Sequence, residues 1–164
     1  MSDPKRLVDR AVDLFTAGLN CSQASFAALC EHWSLPGTAK VAACFGGGIG
    51  RTGGPCGIIT GCLMALGLLA GTDDPKDQET KERVTRLARE TLAAFRNIQG
   101  HSDCIGLTGM DHSTEEGREE FTRRGLKQTV CIPLMRSAMV LMDGVARKEG
   151  LVPSQGEKEG SRAG

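Results

Sequence analysis

Between Cys44 and Cys62 the chain reads CFGGGIGRTGGPCGIITGC, eight glycines and three cysteines in nineteen residues. Positions without a Cβ tolerate positive φ and let other backbone approach closely, so the fold must use this stretch either to wrap a ligand or to pack tightly. Two uses compete. Gly48-Ile49-Gly50-Arg51-Thr52-Gly53 is a literal G-x-G-x-x-G, the spacing of loops that cradle a dinucleotide phosphate, and would make Gly48, Gly50 and Arg51 cofactor-binding residues. Alternatively, the glycines bring a helix start against other chain and present Cys56 for redox or metal chemistry.

A dinucleotide fold needs a strand before the glycines, a helix after them and an acidic residue roughly twenty positions on. Val41–Phe45 can be read as the strand, a helix follows, and Asp73 stands at the required distance. Yet the rest of the chain supplies no strands to complete a parallel sheet. No Lys-Ser or Lys-Thr pair follows the glycines either, so a P-loop is excluded. Binding of a small ligand through this loop, with Arg51 as an anion contact, stays open as an alternative function.

Helical periodicity dominates elsewhere. Pro4 opens a helix whose Leu7, Val8, Ala11, Val12, Leu14 and Phe15 share a broad face, closed by Gly18. Asn20 with Gln23 three residues on is a capping-box start, for a helix running to about Trp33. Pro55 belongs in the first turn of a small-residue helix that runs to about Ala70, where Gly57 and Gly61 leave a groove for close approach. Asp73, Asp74 and Pro75 start a helix with the apolar stripe Val84, Leu87, Thr91, Phe95 and Ile98; Glu79–Arg83 and Glu82–Arg86 are its expected surface pairs. His101–Gln128 is irregular, with a short charged helix from Ser113. A last helix from about Thr129 carries Met135, Ala138, Met139, Met142 and Val145 as core. The expected fold is all-α: a single-domain bundle of about five or six helices with the Gly-rich loop before a central small-residue helix. Residues 1–149 form one cysteine-rich redox domain, and 150–164 a flexible polar tail.

Twenty basic and twenty acidic residues cancel, so no net field draws the chain to nucleic acid or to an anionic membrane. Aromatic residues are 4% of the chain and tyrosine is absent, which removes the usual stacking surface for single strands. The charged start MSDPKRLVDR has no signal-peptide apolar run, and the apolar segment Cys56–Gly71 is shorter than a bilayer requires. The expected address is the cytoplasm, with no nucleic-acid and no membrane partner. The small-residue helix suits a homodimer interface.

Seven cysteines in such a chain argue for redox or metal chemistry rather than a disulfide framework. Cys21 follows the cap Asn20, Cys56 follows Gly54-Pro55, Cys104 follows Ser102-Asp103, and Cys131 follows Thr129. Each is expected in a first helical turn, where free N–H groups and the helix dipole lower a thiol pKa. Cys30 and Cys62 sit inside helices and read as buried, inert thiols. Cys44, before the loop, is a candidate fourth ligand or resolving thiol. No C-x-x-C pair exists, so any cooperation between the sulfurs must be built by the fold. Three or four converging thiolates suit a metal or an iron–sulfur cluster, and two suit a reversible disulfide. His101 and His112 flank Cys104 as a possible ligand or base; His32, beside Trp33, reads as structural.

The order Asn20-Cys21-Ser22-Gln23-Ala24, Gly46-Gly47-Gly48-Ile49-Gly50-Arg51, Cys56-Gly57-Ile58-Ile59-Thr60-Gly61, Cys104 before Leu107-Thr108-Gly109, and then Cys131 resembles the C_GCAxxG_C_C family of redox-active proteins. The resemblance implies that Cys21, Cys56, Cys104 and Cys131 are the functional set, as catalytic thiols or metal ligands. The family includes selenoproteins, which fits thiol chemistry, and a similar domain occurs in split-Soret cytochromes, which fits electron transfer. The expected function is cysteine-based redox chemistry, either thiol–disulfide exchange or electron transfer. An iron–sulfur or other thiolate-bound metal carrier is the alternative. The partner would be a redox protein or a small-molecule redox substrate.

Overall fold

The structure is a computed structural model that describes residues 3–153. Among these residues the fold is all-α, and the backbone pairing outside helices is an isolated antiparallel bridge between Pro55 and Asp103. Seven α-helices are present among the described residues: α1 Pro4–Thr16, α2 Cys21–His32, α3 Gly57–Ala70, α4 Gln78–Gln99, α5 Cys104–Thr108, α6 Glu115–Arg123 and α7 Ile132–Lys148. The expected count was lower because the irregular stretch 101–128 folds into two short helices. A 3-10 helix, Ala39–Phe45, lies between α2 and the glycine loop, and a π-turn, Lys127–Cys131, runs directly into α7.

Local signals place the first two helices. Asp3 caps α1, and the face Leu7, Val8, Ala11 and Phe15 is buried. At α2 the capping box forms in full: Asn20 Oδ1 accepts from the Gln23 N–H at 2.9 Å, and Gln23 Oε1 accepts from the Asn20 N–H at 3.2 Å. The segment read above as a possible strand is the 3-10 helix, so the glycines lack the preceding strand that a dinucleotide fold requires.

Helix α3 is the centre of the molecule, with α2, α4 and α7 packed around it. Its Ile58, Ile59 and Leu66 meet Phe26 and Leu29 of α2, Phe95 of α4, and Met135, Met139 and Met142 of α7 in one core. The groove at Gly57 and Gly61 is occupied by α2 of the same chain: a Cβ on Gly61 would collide with Ser25 Oγ and the Ser22 carbonyl. Glycine here lets two backbones touch, and the packing compensates its helix cost of roughly 1 kcal/mol.

The α4 region departs from its periodicity in three ways. The helix starts at Gln78 because Asp77 is the residue that caps it, accepting from the Thr80 N–H at 3.0 Å. Ile98, expected on the buried stripe, is 59% exposed at the helix end. The anticipated pairs also rearrange: Arg86 bonds Glu90 one turn on and reaches Glu149, and Arg83 donates to the Glu149 carbonyl. Arg83 takes a tertiary partner and Arg86 keeps an i,i+4 pair, but with Glu90 rather than Glu82; such exposed helix pairs are worth only about 0.3–0.5 kcal/mol and are easily exchanged.

A buried polar bridge joins α2 to α7. His32 Nε2 lies 3.0 Å from Asp143 Oδ1, and Arg147 Nε donates to Asp143 Oδ2 at 2.7 Å. The His32 and Asp143 side chains are only 6% and 3% exposed, which gives His32 the structural part expected of it. Of the expected tail, Leu151 and Val152 pack against the core and the Leu151 N–H donates to the Ala146 carbonyl at 2.8 Å. Residues 154–164 lie outside the described residues.

Candidate functional site

The starts of α2, α3 and α5, the glycine loop and the π-turn before α7 converge on Cys21. This is the first residue of α2, and its cap Asn20 is pinned by a 2.8 Å bond from Nδ2 to the Ala43 carbonyl. The backbone amides of Gly47, Ser22, Cys21 itself and Gly57 lie near the Cys21 sulfur and favour its thiolate, against the effect of burial. Two of these amides come from α2 and two from elsewhere, one on the loop and one on α3.

The loop reaches the sulfur by a backbone path of unusual hand. Gly47, Gly48, Ile49, Gly50 and Arg51 all have positive φ, at 64°, 74°, 56°, 61° and 65°. Bonds from the Gly50 N–H to the Cys44 carbonyl (2.7 Å) and from the Gly53 N–H to the Gly47 carbonyl (3.1 Å) close this left-handed turn. Glycine enters it without penalty, whereas Ile49 and Arg51 each carry about 1–2 kcal/mol of strain. The turn brings a loop amide, Gly47 N–H, to Cys21. Gly50 and Arg51 face a cavity beside that sulfur, while Gly48 folds against Gly54, whose nitrogen would stand 2.5 Å from a Cβ there.

Cys56 and Cys104 are held together by main-chain pairing. The Cys56 N–H donates to the Ser102 carbonyl at 2.9 Å and the Cys104 N–H to the Gly54 carbonyl at 2.7 Å, on either side of the Pro55–Asp103 bridge. Cys104 is the first residue of α5, as the sequence predicts, whereas α3 starts at Gly57 with Cys56 as its N-cap, because Pro55 is held outside the helix by the bridge to Asp103. Cys131 differs: it closes the π-turn inside one continuous helical run that begins at Lys127, so it has no helix-start amides. Such single π-turns are often found at functional sites.

The expectation of lowered thiol pKa values is overturned. Burial removes solvent from each sulfur, and this outweighs the amide donors. Burial and the neighbouring Cys21 thiolate push Cys56 up to about 12 and Cys104 up to about 11. Cys131 is raised by burial and then by Cys21, Cys56 and Cys104, with Lys127 opposing. Cys21 is also raised by burial, yet it alone has four amides pulling the other way. The mutual repulsion places all four sulfurs within electrostatic reach of one another. Cys30 and Cys62 are buried in the core, and Cys44 is exposed.

Cys21, Cys104, Cys131 and Cys44 line the cavity, which measures about 430 Å³; Cys56 does not reach it. Its wall also holds His112, which is 8% exposed, stacks edge-on against Phe121 and has an unpartnered Nε2. Burial and the Arg51 charge lower the His112 pKa, keeping the ring neutral near pH 7. Lys127 stands over the Phe15 ring at 4.4 Å from its centre and donates to the Phe15 carbonyl at 2.7 Å. Nothing in the sequence singled out Lys127, Phe15 or Phe121 for the site, since Phe15 reads as core of the first helix and the other two fall in a stretch without clear periodicity. His101 is exposed, with its ring against Gly106, and takes no part in the wall.

Among the described residues, no three Cys, His, Asp or Glu side chains are disposed to hold one metal ion. As arranged, the four cysteines therefore do not present a ligand set for a single metal ion.

Residues 19–145 match the model of a family described as "Putative redox-active protein (C_GCAxxG_C_C)". No curated protein matches the chain, and no solved structure does. With the matched span running from just before α2 into α7 and enclosing all four clustered cysteines, the chain belongs to the C_GCAxxG_C_C family.

Proposed function

We propose that this protein carries out thiol–disulfide exchange, with Cys21 as the attacking thiol and Cys56 as its resolving partner. The observation that carries this is the seating of the Cys21 sulfur: the start of α3 packs on it at Gly57, nearby backbone amides favour its thiolate, and Cys104 and Cys131 share its cavity wall. Exchange requires a thiolate, and the best-stabilised sulfur of the set attacks first.

The Cys21 thiol first loses its proton to solvent, the nearby backbone amides favouring the thiolate. The thiolate attacks one sulfur of a substrate disulfide; the S–S bond breaks, one substrate thiolate leaves, and a mixed disulfide on Cys21 remains. Cys56, losing its own proton, then attacks the Cys21 sulfur and expels the second substrate thiol. In sum, two protein thiols are oxidised to one disulfide and one substrate disulfide is reduced to two thiols. Cys56 caps the helix whose Gly57 touches the Cys21 sulfur, which supports it as the resolving partner.

The test is anaerobic purification, metal and sulfide analysis, and thiol counting before and after a mild oxidant. Reversible loss of two thiols, mapped by mass spectrometry to Cys21–Cys56 and abolished in Cys21→Ser, is the expected result. Seven thiols that never oxidise, or iron and sulfide held by the four cysteines, would overturn it.

A further inference from the structure

We propose that the cavity beside Cys21 selects small disulfides that carry carboxylate groups, gripped by Arg51, Lys127 and His112. The inference rests on the exchange reading above and names its substrate class. The cavity's volume of about 430 Å³ falls in the range of sites for small molecules, roughly 300–1,000 Å³.

Its charge is one-sided. Arg51 and Lys127 contribute two cations to the wall, and no aspartate or glutamate lines it. The acids beside the lining residues Cys104 and His112 in the chain are engaged in their own turns: Asp103 Oδ1 accepts from the Gly106 N–H at 2.6 Å, and Asp111 Oδ1 accepts from Ser113. Among the described residues the Arg51 guanidinium makes no hydrogen bond or ion pair, although its backbone is held in a left-handed conformation that costs energy. Strain that places an unpaired guanidinium at a cavity mouth is compensated when an anion docks there, and a planar guanidinium suits a carboxylate in two-point contact. Lys127 spends one of its three N–H groups on the Phe15 carbonyl, leaving two for a ligand.

The buried His112 Nε2 is the third observation. It is unpartnered, and buried polar atoms are rarely left so without a missing partner. Phe15 and Phe121 supply apolar wall for the carbon chain between the carboxylates and the disulfide. Cationic, apolar and thiol chemistry therefore meet in one small space, which fits an acidic organic disulfide better than a neutral or cationic one.

The test is to reduce the whole chain and follow its thiol oxidation by three disulfides: glutathione disulfide (anionic), hydroxyethyl disulfide (neutral) and cystamine (cationic). Each rate is divided by that disulfide's rate with dithiothreitol, which removes intrinsic reactivity. The expected order is anionic, then neutral, then cationic, with about a tenfold span for each step, the size of one good charge contact. Arg51→Asn, which tolerates the left-handed backbone, and Lys127→Met each collapse the anionic-to-neutral ratio by about tenfold. S-methylglutathione, which cannot exchange, slows iodoacetamide labelling of Cys21. If the three normalised rates are equal and S-methylglutathione gives no protection, the selectivity is wrong while exchange stands. If no disulfide oxidises the protein, the exchange reading fails and takes this inference with it.

Discussion

The Cys21 sulfur rests against Gly57, at a point where a Cβ on that glycine would stand 2.5 Å away. The same absent carbon would also meet the Phe45 carbonyl at 2.8 Å. One glycine thus seats three elements at once: α2 through Cys21, the 3-10 helix through Phe45, and α3 itself. Gly57 also turns its own N–H to the sulfur, so packing and thiolate stabilisation share a residue.

Gly57→Ala therefore cannot be absorbed by rotating Cys21 alone, because backbone blocks the other side. The expected cost is roughly 1–3 kcal/mol, as for other overpacked sites. Urea unfolding gives the stability, and pH-dependent iodoacetamide labelling gives the Cys21 thiolate, whose titration moves to higher pH as the Gly57 amide is displaced. An alanine variant with unchanged stability and labelling would show that the contact is loose.

Ile49→Gly is expected to stabilise the protein. Ile49 is a β-branched residue at φ 56° with its side chain on the surface, 42% exposed. Relieving about 1–2 kcal/mol of strain outweighs the roughly 0.5–1 kcal/mol that glycine costs through the unfolded chain. A net gain of about 1 kcal/mol in thermal or urea melts is the expected reading; a loss would mean that Ile49 is held by contacts worth more than its strain.

Alkaline pH should unfold the reduced protein. Cys30 and Cys104 are pushed up to about 11 and Cys56 to about 12, from an ordinary value of 9.0. Above pH 9 the unfolded chain releases protons that these folded thiols keep, so stability is full below pH 9 and falls as pH rises through the folded values. Each thiol adds at most roughly 1.4 kcal/mol per pH unit over that window. Urea midpoints at pH 8 and pH 10.5 measure the fall, and Cys56→Ser should flatten it. Equal midpoints in the native chain would contradict the burial.

Asp143→Ala should destabilise by roughly 3–5 kcal/mol, the range for removing one partner of a buried ion pair. The loss leaves His32 without its partner in the α2–α7 bridge. Cys21 labelling in the folded fraction should hardly change, since the bridge has no residue on the cavity wall. A fall below 1 kcal/mol would place the pair among surface bridges in effect.

Much of the helical layout was legible because its signals act over a few residues. Asn20 and Gln23 mark the start of α2 through bonds three residues apart, and the Leu7–Phe15 face follows from helical period. Where a distant residue intervened, the reading slipped. Asp77 displaced the expected cap of α4, and Glu149 drew Arg83 to its carbonyl and bonds Arg86 alongside Glu90. A π-turn at Lys127–Cys131 moved Cys131 away from a helix start.

The sequence alone determined the helices, the three cysteines Cys21, Cys56 and Cys104 at helix starts, and the glycine run that had to bend somewhere. These depend on capping, periodicity and the freedom of residues without a Cβ, all short-range properties. The tertiary structure decided which way the glycines bend, that a loop amide turns to the Cys21 sulfur, and that Cys131, Lys127 and His112 join it. It also reversed the sign of the thiol shifts, because desolvation depends on everything packed around a sulfur, while the helix-start effect depends only on the turn that carries it.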